Sequence, residues 1–293
     1  SQSIFSKNAL LMGSDFEITI VEKSESQANI LLDLAIKEIS RIEKLISSWD
    51  SESQTSLINL NAGISPIKVD KELFDLINRS LKISKLSQGA FDISYASLDK
   101  VWYFDKEMKE IPSDKEILES VSKVGYNNII LDKKNQTVFL KNSGMKIGFG
   151  AIGKGYAADM AKSILIQNDV KSGIINASGD LTAWGKKPSG KDRMVAIVNP
   201  LNKNKIFSWL PIKNKAVVTS GNYERFVNFK GKLYSHIIDP RTGYPSEGIL
   251  SVTIFTEKAE LADALATSVF VLGEEIGMNL INQLKGIDCI IIN

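Results

Sequence analysis

Near residue 125 the hydrophobic pattern of this 293-residue chain changes period. Upstream, apolar residues recur at helical spacing. Ile30, Leu31, Leu34, Ile39, Ile42 and Ile46 predict a helix over Gln27 to Ile46. A second starts at Asp70, placed to cap it, and runs to about Leu86; a third spans Ser113 to Val124, just after Pro112. Ala9 to Val21 alternates as a strand, and a Ser-rich connector, Ser47 to Ser56, carries Trp49. Downstream, turn residues separate short apolar runs. These predict strands at Asn128 to Leu131, Thr137 to Leu140, Lys146 to Phe149, Gly173 to Ala177, Arg193 to Val198 and Lys205 to Leu210. Further strands are expected at Ala216 to Thr219, Tyr223 to Phe229, Leu233 to Ile237, Ile249 to Thr256 and Ile287 to Ile292. Helices are expected at Gly153 to Gln167, Ala259 to Val271 and Glu274 to Leu284. Most of the strands are hairpin-linked, so the fold expected is α+β, with largely antiparallel sheets and packed helices. The whole chain, 1–293, reads as one compact unit whose irregular helical first third (about 22–125) packs on the β-rich remainder.

Charge narrows the function. Basic residues (36) nearly balance acidic ones (34), for a net charge of +2. No basic stripe with interleaved aromatics stands out, so nucleic-acid binding has no electrostatic support. The runs Lys186-Lys187 and Lys203 to Lys205 read as solvated loops. No apolar run reaches bilayer-spanning length. The chain opens Ser-Gln-Ser without an initiator methionine or a signal-peptide pattern, as expected of a mature or trimmed chain. Its one cysteine, Cys289, excludes an internal disulfide and is expected as a buried strand residue. A single cysteine fits a reducing cytoplasm and a disulfide-free exported protein alike.

The chain has one histidine, His236, in the string Tyr234-Ser235-His236-Ile237-Ile238-Asp239-Pro240-Arg241-Thr242-Gly243. Imidazole is the side chain best suited to move protons near neutral pH. The Asp-Pro-Arg-Thr-Gly that follows is a turn former and would hold such a group steady. A structural histidine beside a tight turn is the alternative. Gly148-Phe149-Gly150-Ala151-Ile152-Gly153 matches the dinucleotide fingerprint GxGxxG, but hairpin-like strands follow it, which disfavours a Rossmann unit. A Gly-rich helix N-terminus also suits a phosphate, and Lys154 adds positive charge there. Asp263 and Thr267, four residues apart, share one helix face and offer hard oxygens suited to Mg²⁺; an exposed Asp and a packed Thr are the bland alternative. Thr219-Ser220-Gly221-Asn222 would bind a phosphate or simply turn the chain. Gly89-Ala90-Phe91-Asp92 would hold a flat ligand or close a loop on the core.

Taken in order, these strings resemble the ApbE family, the FAD:protein FMN transferases. The matching segments are Met12-Gly13-Ser14, Ser48-Trp49-Asp50, Gly89 to Asp92, Gly150 to Asp159, Asn176 to Asp180, Thr219-Ser220-Gly221, the His236 string and Ala262-Asp263-Ala264-Leu265-Ala266-Thr267. They cover nearly the whole chain; the His236 string and Ala-Asp-Ala-Leu-Ala-Thr are the specific ones. The resemblance implies that FAD binds with Mg²⁺ on its pyrophosphate. The FMN half then passes to a threonine hydroxyl of another protein through a phosphoester, and AMP leaves. By matching position, His236 is implied as the base acting on that hydroxyl. Asp263, Thr267 and the backbone carbonyl of Ala151 are implied as metal ligands. Met12, Trp49, Ala90, Phe91 and Asp92 are implied to contact FAD, joined by Lys154, Thr219, Ser220 and Ile237. Gly148 stands where relatives often carry Asp, and Ser178 where they often carry Gly. The family's acceptor signature, Asp-x-x-(Ser/Thr)-Gly-Ala-Thr, is absent from the chain, so the expected acceptor is a separate protein: a membrane redox subunit or a flavoprotein domain. The resemblance also implies an extracytoplasmic location, periplasmic or as a membrane-anchored lipoprotein. The competing readings are an FAD pyrophosphatase giving FMN and AMP, a non-catalytic FAD-binding lipoprotein and, distantly, a Rossmann oxidoreductase.

Overall fold

The computed structural model describes residues 1–104, 109–221 and 226–293, with the backbone alone at Lys203. The expected strand start at Tyr223 and Asn222 of the Thr219 string lie outside the described residues. The chain opens with a hairpin of β1 (Ser3–Leu11) and β2 (Ser14–Glu22), where one strand is expected over Ala9 to Val21. The break is a two-residue turn: Met12 (φ 52°) and Gly13 (φ 69°) both take positive φ, the geometry whose twist matches a tight hairpin.

Three helices follow: α1 (Glu25–Ile46), α2 (Gln54–Leu60) and α3 (Lys71–Leu86), with the short β3 (Ile67–Lys68) between the last two. Ser24 caps α1 by accepting the Gln27 N–H. The helix buries Ala28, Leu31, Leu32, Ala35, Ile39, Ile42 and Ile46, whereas Ile30, expected on that face, is exposed. Helix α2 lies where the serine-rich stretch reads as a connector; Ser53 caps it, and Thr55, Ser56 and Ile58 are buried. Asp70 is the N-cap of α3, but its side chain accepts from Gln54 instead of capping the helix. A short α4 (Asp114–Ser120) closes a capping box between Ser113 and Glu116 and ends well before Val124.

The remainder comprises β4 (Ile129–Asp132), β5 (Thr137–Leu140), α5 (Gly153–Gln167), β6 (Gly173–Ala177), β7 (Asp180–Trp184), β8 (Arg193–Asn199) and β9 (Asn202–Ile212). Then come β10 (Ala216–Ser220), β11 (Phe226–Phe229), β12 (Lys232–Ser235), β13 (Ser251–Thr256), α6 (Ala259–Leu272), α7 (Glu274–Asn282) and β14 (Asp288–Ile292). Lys203 to Lys205, read as a loop, falls on β9, and β7 has no counterpart among the expected strands. Lys146 to Phe149 forms no strand. Side chains take its backbone bonds: Ser97 accepts the Lys146 N–H, and Asn59 bonds both polar groups of Ile147. Cys289 does lie on a strand, but half-buried on β14; burial pushes its thiol up to about 11.

The central sheet runs β1-β2-β6-β7-β10-β13-β14, and every pairing in it is antiparallel. This excludes the parallel βαβ unit that a Rossmann reading of GxGxxG requires. Alternate strand residues point to opposite faces. One set, including Ile175, Val218 and Ile254, joins α1, α5 and α6 in the main core. The other, including Leu181, Val217 and Phe255, forms a smaller core with residues of β8 and β9. Among the described residues, no helix is long and apolar enough to cross a membrane.

Candidate active site

A cavity of about 1360 Å³ lies where the Met12–Gly13 and Ser178–Gly179 turns meet the end of β10. It is larger than most drug-sized pockets, which run to about 1,000 Å³, and has room for a dinucleotide. Trp49, Ala90, Phe91, Asp92, Ala151, Lys154, Thr219, Ser220, His236, Ile237, Asp263 and Thr267 all line it. Met12 does not: its side chain packs on the core, its amide donates to Glu43 (2.7 Å), and Gly13 takes the place on the wall.

His236 follows the last residue of β12 and is half-buried. The turn beyond it is cross-tied. The Asp239 N–H donates to the Tyr244 carbonyl (2.9 Å), and the Gly243 N–H donates to the Asp239 carbonyl (2.8 Å). Asp239 also accepts from the Arg241 guanidinium at 3.0 Å. Gly243 has φ 82°, and its carbonyl accepts from the Trp102 indole (2.9 Å). A Cβ there would stand 2.9 Å from Ile117 and Val121. The turn therefore holds His236 against the cavity with little freedom.

Asp263 and Thr267 sit on α6, a helix buried on most sides, where a half-buried carboxylate needs a reason. Burial and the negative charge of Asp180 push the Asp263 carboxyl up to about 8, opposed by the Gly155 N–H and the Lys154 charge. The Gly155 N–H donates to Asp263 Oδ2 at 3.2 Å. Among the described residues, no backbone N–H donates to the Ala151 carbonyl. A carboxylate, a hydroxyl and an unspent carbonyl thus line the same cavity, with Asp180 adding negative charge. This donor set fits a hard divalent cation, whose charge would relieve the crowding that now favours a protonated Asp263.

The glycines at the start of α5 serve packing as well. A Cβ on Gly155 would stand 2.3 Å from the Ala259 carbonyl, so only glycine lets α5 and α6 approach this closely. Four residues on, Asp159 accepts the N–H groups of Ala259 (2.8 Å) and Glu260 (2.9 Å), which caps α6 from outside and fixes its register against α5. Gly155→Ala should lower stability by about 1–3 kcal/mol through overpacking. Thermal melting checks this; an unchanged Tm would show that the contact yields freely.

Asp92 is buried, and burial raises its pKa despite three hydrogen bonds. Its Oδ1 accepts from the Ser94 amide and hydroxyl, and its Oδ2 from the Tyr126 amide (3.0 Å). The carboxylate therefore braces the cavity wall. Gly148 is tight: a Cβ there would meet Ala96 at 3.2 Å.

Trp49 is 95% exposed although it borders the cavity. A tryptophan left in water at a cavity rim has no packing role to lose. Trp49→Ala should therefore leave the Tm unchanged and weaken flavin binding about 5- to 100-fold, the usual range for one aromatic stack. Fluorescence titration with FAD checks this, and wild-type affinity would remove Trp49 from the site.

Sequence reasoning missed two contributors. Asp180 stood in a quoted string but not among the site residues, and it lines the cavity with its Oδ1 accepting the Thr219 N–H (2.9 Å). Trp102 lines the wall with Phe104 and packs on Tyr234 (ring centroids 5.6 Å apart), two residues before His236. The run Val101-Trp102-Tyr103-Phe104 was the available signal.

An antiparallel α+β fold that gathers one imidazole and a set of hard oxygens on a dinucleotide-sized cavity defines a narrow class. Residues 12–291 match the ApbE family, and the chain belongs to it. It is 32% identical to an FAD:protein FMN transferase of Klebsiella pneumoniae, over 99% of this chain and 89% of that protein. It is 29% identical to one of Treponema pallidum, over 98% and 84%. The crystal structure of the ApbE protein of Thermotoga maritima superposes with a TM-score of 0.86 at 31% identity, over 99% of this chain and 94% of that one. The flavinyl transferase ApbE of Pseudomonas stutzeri, in apo form, gives 0.86 at 25%, over 99% and 91%.

Proposed function

We propose that this chain transfers the FMN half of FAD to a threonine hydroxyl of an acceptor protein, in a reaction that depends on Mg²⁺. The observation that carries this reading is the meeting, on one large cavity, of His236 with Asp263, Thr267 and the Ala151 carbonyl. Asp263, Thr267 and Ala151 would hold the cation, which when bound neutralises charge on the pyrophosphate as its bond breaks. Lys154, on the first turn of α5 and on the cavity wall, would offer a cation to the same phosphates. Trp49, Ala90 and Phe91 supply an apolar border for the flavin. Phe91 and Ala90 are buried, so they shape the site, while the exposed Trp49 has room to close on a ring.

His236 takes the acceptor's proton. Its Nδ1 is buried, so the proton moves to Nε2. The threonine oxygen bonds to the FMN phosphorus, the bond from that phosphorus to the bridging oxygen breaks, and AMP carries the oxygen away. With a separate protein as acceptor, the reading extends to an extracytoplasmic location and to a membrane redox subunit or flavoprotein domain as the partner. The test combines purified protein, FAD, Mg²⁺ and a domain bearing the acceptor signature. In-gel flavin fluorescence on the domain, with AMP in solution, is the expected result. FMN and AMP without labelling would make the chain a pyrophosphatase, and tight FAD binding with neither product would make it a carrier.

A further inference from the structure

Strands β8 and β9 form a two-stranded ribbon with two different ends. Near its base, Val195, Ile197, Leu210 and Ile212 pack on the central sheet face away from the helices. Further out, β9 itself is uncovered: its residues 204–209 are all exposed, so both faces of that stretch are in water, while Asn199 and Pro200 at the end of the ribbon border the cavity. Among the exposed residues are Ile206, Phe207 (59% exposed) and Trp209 (58% exposed). Register shifts between Ile197 and Asn199 put Phe207 on a bulge. Among the described residues, β9 pairs only with β8, so its other edge has no partner strand. An apolar strand with a free edge is an aggregation hazard that folded proteins ordinarily blunt or cover.

Charge is concentrated here too. Residues 185–215 hold eight basic residues and one acidic residue, Asp192, in a chain whose net charge is only +2; Arg193 is buried and Lys213 and Lys215 pair with Asp192 and Asp288, but Lys186, Lys187, Lys191 and Lys205 are exposed. The ribbon also reaches the active site, because β8 residues Val195 to Asn199 line the cavity. A single element therefore joins the FAD-sized cavity to an exposed, basic, apolar edge.

We propose that the β8–β9 ribbon is the docking surface for the acceptor protein. An extended, acidic segment of the acceptor adds along the free edge of β9 and seats apolar side chains on Ile206, Phe207 and Trp209. This brings its hydroxyl over the cavity that β8 borders. The inference rests on the transferase reading, since only a protein acceptor requires a second macromolecular surface beside the cavity. Main-chain pairing supplies affinity without demanding one sequence, and the side chains on alternate faces supply selectivity. The basic margin steers an acidic segment toward the edge. A strand partner satisfies the backbone groups of β9, which a lipid headgroup layer leaves unpaired.

The test uses two variants of exposed residues outside the cavity: Ile206→Ser with Trp209→Ser, and Lys191→Glu with Lys205→Glu. The acceptor is a domain bearing the Asp-x-x-(Ser/Thr)-Gly-Ala-Thr signature. Each variant should raise the KM for that domain about tenfold or more, the size of a hot-spot loss. FAD affinity should stay within about twofold of wild type, which also shows that the fold is intact. Added salt should weaken acceptor binding by wild type more than by the charge variant. An unchanged acceptor KM in both variants would overturn the proposal. If KM holds while the variants lose binding to phosphatidylglycerol vesicles, or fall from dimer to monomer in sedimentation, then a membrane or a second copy covers the ribbon and the proposal fails. A wild-type chain that labels no acceptor removes the transferase reading itself, a result seen before any variant is compared.

Discussion

His236→Ala should abolish flavin transfer while FAD binding stays within about twofold of wild type. A positioned base contributes about a hundred- to ten-thousand-fold, and the chain has no second histidine to replace it. The position is held from several sides. The Ile237 N–H donates to the Ser235 hydroxyl (3.0 Å), and the Ser246 N–H donates to the Ile237 carbonyl (2.8 Å). Trp102 packs on Tyr234 from the other side. Loss of the ring leaves this frame in place, so the substitution separates chemistry from binding. The measurement is the labelling rate by in-gel fluorescence beside a flavin titration. Labelling at the wild-type rate would remove the base assignment, and lost FAD affinity would recast His236 as a binding residue.

Asp263 should give the second large effect. Asp263→Ala removes the one carboxylate of the proposed ligand set, so the Mg²⁺ concentration needed for half-maximal transfer should rise sharply. An unchanged metal titration would count against the ligand role. Without metal, the same group should show itself in stability. The folded state holds the Asp263 proton more tightly than the unfolded chain does, with a pKa near 8 instead of the ordinary carboxylate range. Its contribution is therefore fully present below the ordinary carboxylate pKa and is lost as pH rises through about 8. Asp263→Asn keeps the shape without the titration. In EDTA, the Asn variant should match wild type near pH 4 and melt several degrees higher above pH 8. Added Mg²⁺ at high pH should reverse that order, because only the carboxylate gains a cation. Parallel melting curves for the two proteins across pH would show that the charge at Asp263 is not under strain.

What was legible in the chain was whatever a strong local period could write. Helix α1 and the helices at Gly153 and Ala259 carry continuous apolar faces and fall close to their expected bounds. The antiparallel class followed from turn residues between short apolar runs. Helix α2 escaped because its serines and threonine are buried and held by side-chain bonds, such as Ser53 to the Ser47 carbonyl, which composition reads as solvent-facing. Lys146 to Phe149 was misread for the opposite reason: its pattern suits a strand, but Asn59 and Ser97 take the bonds that a neighbouring strand would take. At the site, ordered motifs pointed to twelve of the residues that line the cavity. Met12 alone of the expected residues lies off the cavity wall, because a motif does not tell which member of a two-residue turn faces inward. The motifs passed over Asp180, whose importance lies in its charge beside Asp263, a relation between strand β7 and helix α6 that no local spacing encodes.

The most direct measurement is the ratio of AMP released to acceptor labelled, read by chromatography and intact-protein mass in one reaction of wild-type protein, FAD, Mg²⁺ and acceptor domain. Transfer predicts one AMP for each FMN-sized mass gain, lost together when the acceptor threonine is changed to alanine. AMP release that runs on with free FMN and an unmodified acceptor would contradict it.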